Sequence, residues 1–275
     1  MAITAADVMK LRKATGAGMM DCKNALADAN GDFDAAVQII REKGKLVASK
    51  RSDREASEGV VLAGVSSDNK FGAIVVLNCE TDFVAKNDDF VKVTQKFLDA
   101  ALQNKPADLE ALKALDVDGR TIGDHVTEQT GVIGEKIELS YYSKVEAEAV
   151  VPYIHPGNKL ATLVGFNQTD ADVQVMKDVA MQVAAMSPVA VDKDDVSASV
   201  VEKELEIAKE KFRQEGKPEA MLDKIAQGAL QKFFKENTLL NQAFVKDNKQ
   251  TVKEYLVSTD KGLTVTQFDR FALSE

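Results

Sequence analysis

Phe71-Gly72-Ala73-Ile74-Val75-Val76-Leu77, followed by Asn78-Cys79-Glu80-Thr81-Asp82-Phe83-Val84-Ala85-Lys86-Asn87, is the stretch on which the fold turns. Its first seven residues are short, β-branched and nearly continuous in hydrophobicity, which predicts a buried strand. Beyond Asn87, the residues Phe90, Val93, Phe97, Ala100 and Ala101 recur at spacings of three and four, which predicts an amphipathic helix. The segment between is a strand-to-helix connection, and connections run over the surface, where recognition residues are carried on a rigid scaffold. Phe83 and Val84 within it either tuck under as an apolar plug or insert into a partner.

A repeat bears on that choice. Asn69-Lys70-Phe71 and Ala73 to Asn78 match Asn158-Lys159-Leu160 and Thr162 to Asn167 at an offset of 89 residues, which Val61 and Val150 share. In the helices that follow, Phe90, Val93 and Phe97 match Val173, Met176 and Ala180 at an offset of 83. The first copy therefore carries six additional residues between strand and helix. A scaffold that closes without them in its second copy does not need them for folding, which favours insertion over plug.

Working outward, residues 1–43 read as three short helices. Val8 and Leu11 mark the first, Cys22 and Leu26 the second, and Phe33, Ala36, Val37 and Ile40 the third, with Gly16, Gly18 and Gly31 between them and Asp32 as an N-cap. A module this small has a marginal core and leans on its neighbours. Residues 45–58, rich in Lys, Arg, Asp and Glu, read as a charged linker. Ile137, Leu139 and Tyr141 alternate with polar residues as in a half-exposed strand. Val201, Leu205, Ala208 and Phe212, then Gly216-Lys217-Pro218, then Leu222, Ile225, Ala229 and Phe233 predict an antiparallel helical hairpin. Its stripe can pack within the hairpin, on the body or on a second copy. The tail reads as a helix near 251–256 and a strand at Leu263, Val265 and Gln267.

Composition narrows the function. The 275 residues are 45% hydrophobic and 29% charged, as in a globular protein of two or three structural units. A net charge of −9 argues against a nucleic-acid phosphate backbone as the main partner. Two cysteines, Cys22 and Cys79, provide neither a disulfide framework nor zinc spacing, and point to a reducing cytoplasmic compartment. No run reaches the roughly 18 apolar residues of a membrane span. Gly157-Asn158-Lys159 lacks the other residues of a phosphate-cradling loop. His125 and His155 lie beside no nucleophile or metal motif, and Asp88-Asp89 suit a helix N-terminus more simply than a cation. The expectation is a protein that is not an enzyme and uses no cofactor.

From Leu11-Arg12-Lys13-Ala14-Thr15-Gly16-Ala17-Gly18-Met19-Met20-Asp21-Cys22-Lys23-Asn24-Ala25-Leu26, through LNCETDFVAKN at 77–87, to Tyr153-Ile154-His155-Pro156-Gly157 and Gln242-Ala243-Phe244-Val245, the chain resembles bacterial elongation factor Ts. Val76, Ser140-Tyr141, Ala161 and Ala243 differ from the residues common in that family. The resemblance implies an α+β fold: an N-terminal three-helix ubiquitin-associated-like module with its linker (1–54), two related α+β core subdomains (55–144, and 145–196 with 238–275) and an inserted antiparallel helical hairpin (197–237). It implies a guanine-nucleotide exchange factor for the translational GTPase elongation factor Tu, with Thr81, Asp82, Phe83 and Val84 dislocating the partner's Mg²⁺. Arg12, Met19 and Met20 would hold the partner's nucleotide domain and His155 another of its domains. Met19 and Met20 have a competing reading as core of the three-helix module. A homodimer or a 2:2 complex is compatible with the hairpin stripe, as is a 1:1 complex. An adaptor that binds translation proteins without driving exchange is the competing function.

Overall fold

The computed structural model describes residues 3–273; Met1, Ala2, Ser274 and Glu275, the ends of the first and last segments above, lie outside the described residues. Three helices come first: α1 (Ala5–Thr15), α2 (Met19–Asp28) and α3 (Phe33–Lys50). Thr4 and Asp7 form a reciprocal cap on α1, Gly16 at φ 71° ends it, and Asp32 caps α3 through the amide of Ala35. Val8, Leu11, Cys22, Leu26 and Ala36 close a small core between the three.

The charged segment corrects the sequence reading. It was expected to be linker from Lys45, but α3 runs unbroken to Lys50, leaving an irregular segment only between α3 and Glu58. The reason is tertiary. Gly44 is buried against α7 (Ile122–Ile133), and a Cβ built on Gly131 of that helix would lie 2.3 Å from the Gly44 Cα. Two glycines facing each other let the helix backbones touch. Beside them Glu128 of α7 accepts from Arg120 and pairs with Arg41 of α3 at 3.1 Å.

The remaining elements of the first half are β1 (Glu58–Val65), β2 (Phe71–Cys79), α4 (Asp82–Ala85), α5 (Asp88–Asn104), α6 (Leu109–Lys113), the ribbon β3 (Asp116–Val117) and β4 (Arg120–Thr121), and, after α7, β5 (Glu138–Glu146). The second half contains β6 (Ala149–Ile154), β7 (Leu160–Phe166), α8 (Val173–Met186), α9 (Ala198–Gln214), α10 (Glu219–Asn237), the ribbon β8 (Ala243–Phe244) and β9 (Asp247–Thr251), α11 (Val252–Thr259) and β10 (Val265–Ala272). The chain is of mixed α+β type. Two antiparallel three-stranded sheets form, in the orders β1-β2-β5 and β10-β7-β6.

Every residue of β2 is buried because both of its faces are covered. Phe71, Ala73, Val75 and Leu77 face α5 with Phe90 and Phe97, whereas Ile74 and Val76 meet Val150, Ala161 and Leu163 of the other sheet. The second sheet repeats this division: Val164 and Phe166 join α8, while Ala161 and Leu163 join the shared layer. The layers therefore run helix, sheet, sheet, helix. Residues at the 89-residue offset also close their hairpins alike. Ser66 N–H donates to the Phe71 carbonyl and His155 N–H to that of Leu160, each at 2.8 Å, with Asn69 and Asn158 both left-handed at φ 53° and 55°.

The hairpin forms, with Ala208 and Leu222 of the predicted stripe buried between its helices together with Ala226 and Leu230, which the stripe did not include; the other stripe residues are half-buried, and Ile207 and Met221 are exposed. The tail forms its helix and a longer strand than its alternation suggested. No helix of the described residues is long and apolar enough to cross a membrane.

Candidate functional site

The connection that carries the six additional residues forms a single helical turn of four residues, Asp82–Ala85, just beyond the most buried strand. Thr81 caps this turn, α4, by accepting from the amide of Val84. Within one turn successive side chains point about 100° apart, so Phe83 and Val84 cannot share a direction. Ala85 is buried and Val84 packs on the core, whereas the ring of Phe83 is 83% exposed. A phenyl ring left in water forgoes about 1.5–3 kcal/mol that its burial would return. Phe83 is therefore not tucked under the loop, and the plug reading describes Val84 alone.

Asp82 pairs with Lys86 at 2.6 Å one turn on, and this hydrogen bond holds the Asp82 carboxyl below its ordinary value, with Lys159 nearby adding to the effect. Asp88 and Asp89 occupy the first turn of α5, whose cap Asn87 accepts from the Asp89 amide; Asp89 pairs with Lys92 at 2.9 Å. Among the described residues no group of three or more His, Cys, Asp or Glu is placed to hold a metal ion.

Beneath the tip lies a polar base that sequence spacing did not reveal. Glu135, between α7 and β5, accepts from the Glu80 and Thr81 amides at 3.1 and 3.0 Å and from the Thr81 hydroxyl at 2.7 Å. Glu80 accepts from the Lys136 amide at 2.6 Å and from one guanidinium nitrogen of Arg51 at 2.8 and 3.0 Å. These bonds, the Lys136 amide foremost, hold the Glu80 carboxyl below its ordinary value. The pairing is thus complete at neutral pH and lost only as acidification passes that lowered value. Its members come from three places far apart in the chain, so no local pattern announces them.

Met19 and Met20 are 44% and 64% exposed, which sets aside their reading as module core. With Ile3, Val8 and Lys23 they line a shallow groove of α1 and α2. Arg12 is exposed on α1. His155 is exposed in the β6–β7 turn, where its Nδ1 lies 3.0 Å from the Tyr153 hydroxyl. That turn approaches the first sheet, since the Asn158 carbonyl accepts from Val61 N–H at 2.7 Å and Lys159 pairs with Glu58 at 2.8 Å. The structure thus brings Thr81 to Val84 together in one turn and Met19 and Met20 in one groove. Among the described residues no hydrogen bond or ion pair joins Arg12 or His155 to either group. His125, the other histidine, is tied by Nε2 to the Val117 carbonyl at 2.7 Å, a structural contact.

The chain has close relatives among known proteins. The family model described as elongation factor TS matches residues 80–275. Elongation factor Ts of Porphyromonas gingivalis is 55% identical over 100% of this chain and 99% of its own length. That of Christiangramia forsetii is 56% identical over 98% of both chains, and that of Cytophaga hutchinsonii 50% identical over 99% of both. Identity of this level along the full length, together with a family match that begins at Glu80 beneath the exposed tip, means that the chain belongs to the elongation factor Ts family.

Proposed function

We propose that this translation elongation factor is a guanine-nucleotide exchange factor for the GTPase elongation factor Tu, acting in the cytoplasm without covalent chemistry or a cofactor of its own. The observation that carries the reading is Phe83, held in solvent on one helical turn at the end of a fully buried strand. Its ring wedges into the partner beside the Mg²⁺ site, with Asp82 next to it, Thr81 capping the turn and Val84 anchoring it to the core. Mg²⁺ demands near-ideal octahedral geometry and bridges GDP to protein, so a small displacement of its ligands weakens nucleotide binding. The effect is reciprocal, in that the factor loosens GDP and nucleotide loosens the factor. A 10⁴-fold loosening corresponds to about 5.5 kcal/mol of differential binding.

Arg12, Met19 and Met20 hold the helical module on the partner's nucleotide domain, the methionines as adaptable apolar contacts, and His155 engages another partner domain. The division that accompanies this reading is a ubiquitin-associated-like module with its linker (1–54), two related core subdomains (55–144, and 145–196 with 238–275) and a hairpin insertion (197–237). Binding to the partner is direct and involves no nucleic acid. The hairpin, with Ile207 and Met221 exposed, accommodates either a 1:1 complex or a dimer of complexes.

Stopped-flow release of fluorescent GDP from a bacterial elongation factor Tu tests the proposal. The chain accelerates release at least a hundredfold, on the order of the loss of one wedge and its ion site, and Phe83→Ala loses most of that acceleration. A protein that binds the GTPase yet leaves the release rate unchanged is an adaptor, and the exchange reading is then wrong.

A further inference from the structure

The tip is a helix of one turn, too short to hold itself together, because nucleating a helix costs more than a single turn returns. Something outside α4 must fix where Phe83 points. The core fixes one side through Val84 and Ala85. The other side, residues Glu80 and Thr81, meets three donors' worth of contact with one carboxylate: Glu135 takes both amides and the Thr81 hydroxyl. The same hydroxyl oxygen accepts from the Val84 amide, so Glu135 sets the rotation of the group that caps the turn. In exchange, Glu80 takes the Lys136 amide, and each carboxylate clasps the backbone of the other's segment. Arg51, the residue just after α3, closes the base.

We propose that Glu135 is a positioning residue for nucleotide exchange: it presents Phe83 to the partner already oriented, by fixing the Glu80–Thr81 backbone and the Thr81 hydroxyl. The inference rests on the exchange reading above. Its logic is that ordering the tip within the free protein removes an entropy loss from the step in which the ring enters the partner. Affinity, in contrast, comes from the helical module and the β6–β7 turn, which Glu135 does not touch. Replacing the carboxylate by an amide leaves one accepting oxygen where two served three donors.

The test is full-chain Glu135→Gln in GDP-release kinetics measured over a range of factor concentrations. The maximal release rate falls about tenfold, the size of one charge-assisted hydrogen bond, while the half-saturating concentration stays within about twofold. In a Phe83→Ala background the same substitution has no further effect, because its action runs through that ring. Thr81→Val, which removes only the hydroxyl, lowers the maximal rate in the same way, and Thr81→Ser restores it, which serves if Glu135→Gln folds poorly. Hydrogen exchange on the free proteins gives an independent readout: the amides of Glu80 and Thr81 exchange faster in Glu135→Gln, those of Ile74 to Leu77 do not. A raised half-saturating concentration at an unchanged maximal rate, or an equal loss in the Phe83→Ala background, overturns the proposal. If the wild-type chain fails to accelerate release at all, the exchange reading falls; unchanged exchange at Glu80 and Thr81 then overturns the positioning claim as well.

Discussion

Phe83 and Cys79 stand four residues apart and meet opposite environments. The ring lies in water, while the thiol, at the last position of β2, donates to the Thr81 carbonyl at 3.1 Å. Burial, and after it the negative charge of Glu135, push the Cys79 thiol up to about 12. The thiolate is the reactive form, so at pH 8 almost none exists. Native protein treated with iodoacetamide therefore keeps Cys79 unmodified over hours, and urea-unfolded protein loses it within minutes; mass spectrometry of the alkylated peptide distinguishes the two. The sequence identified Thr81 to Val84 as a unit but left Phe83 and Val84 sharing one fate. Which side of a one-turn helix faces the core depends on strand β2 and helix α5 together, and residue types alone carry no record of that. Met19 and Met20 were undecided for the same reason, since methionine suits a core and a contact surface equally well.

Among the elements, α3 does two things at once. Its first turns close the module's own core and its last turns lie on α7 through Gly44 and Gly131. The two glycines are not equivalent. A Cβ on Gly44 meets α7 backbone atoms at ordinary van der Waals distances, the nearest at 3.7 Å, whereas one on Gly131 would fall 2.3 Å from the Gly44 Cα. Gly44→Ala is accordingly neutral or stabilising by up to about 1 kcal/mol through helix propensity. Gly131→Ala forces the helices apart and costs about 1–3 kcal/mol, seen in thermal melting and as faster hydrogen exchange in the second half of α3. Spacing predicted where α3 starts, with Asp32 as its cap, but not where it stops. A segment with Lys50, Arg51, Asp53, Arg54 and Glu55 and few apolar positions reads as linker, and the glycine that overrides this reading, Gly131, stands 87 residues beyond Gly44.

At the scale of the whole molecule the two sheets meet through matched bonds. Val61 N–H donates to the Asn158 carbonyl and Val150 N–H to that of Asn69, both at 2.7 Å, and the 89-residue offset relates the two bonds, taking Val61 to Val150 and Asn69 to Asn158. Lys70 pairs with Glu148 and Lys159 with Glu58 around them, each at 2.8 Å. Contacts exchanged in this way describe an approximate two-fold axis. The layer on that axis contains Ile74 and Leu163, both fully buried, as equivalent residues. Leu163→Ala removes packing from both sheets and costs about 2–5 kcal/mol. Urea unfolding followed by circular dichroism stays a single transition with a lowered midpoint; a second, unshifted transition would mean that the sheets unfold separately. The repeat was readable because matching strands must bury matching faces. That its copies face each other was not, since neither sheet's pattern says which surface covers it.

The contact between α3 and α7 bears on where mechanical work is done. Through it and the Arg51–Glu80 pair, the three-helix module carrying Met19 and Met20 on α2 shares one frame with the turn carrying Phe83. In the exchange mechanism proposed above, the span between the module's grip and the Phe83 wedge is set by this frame. A pliable factor would meet a mismatched GTPase by bending itself; the proposed mechanism makes this one a caliper, so that closing both contacts leaves the deformation to the partner.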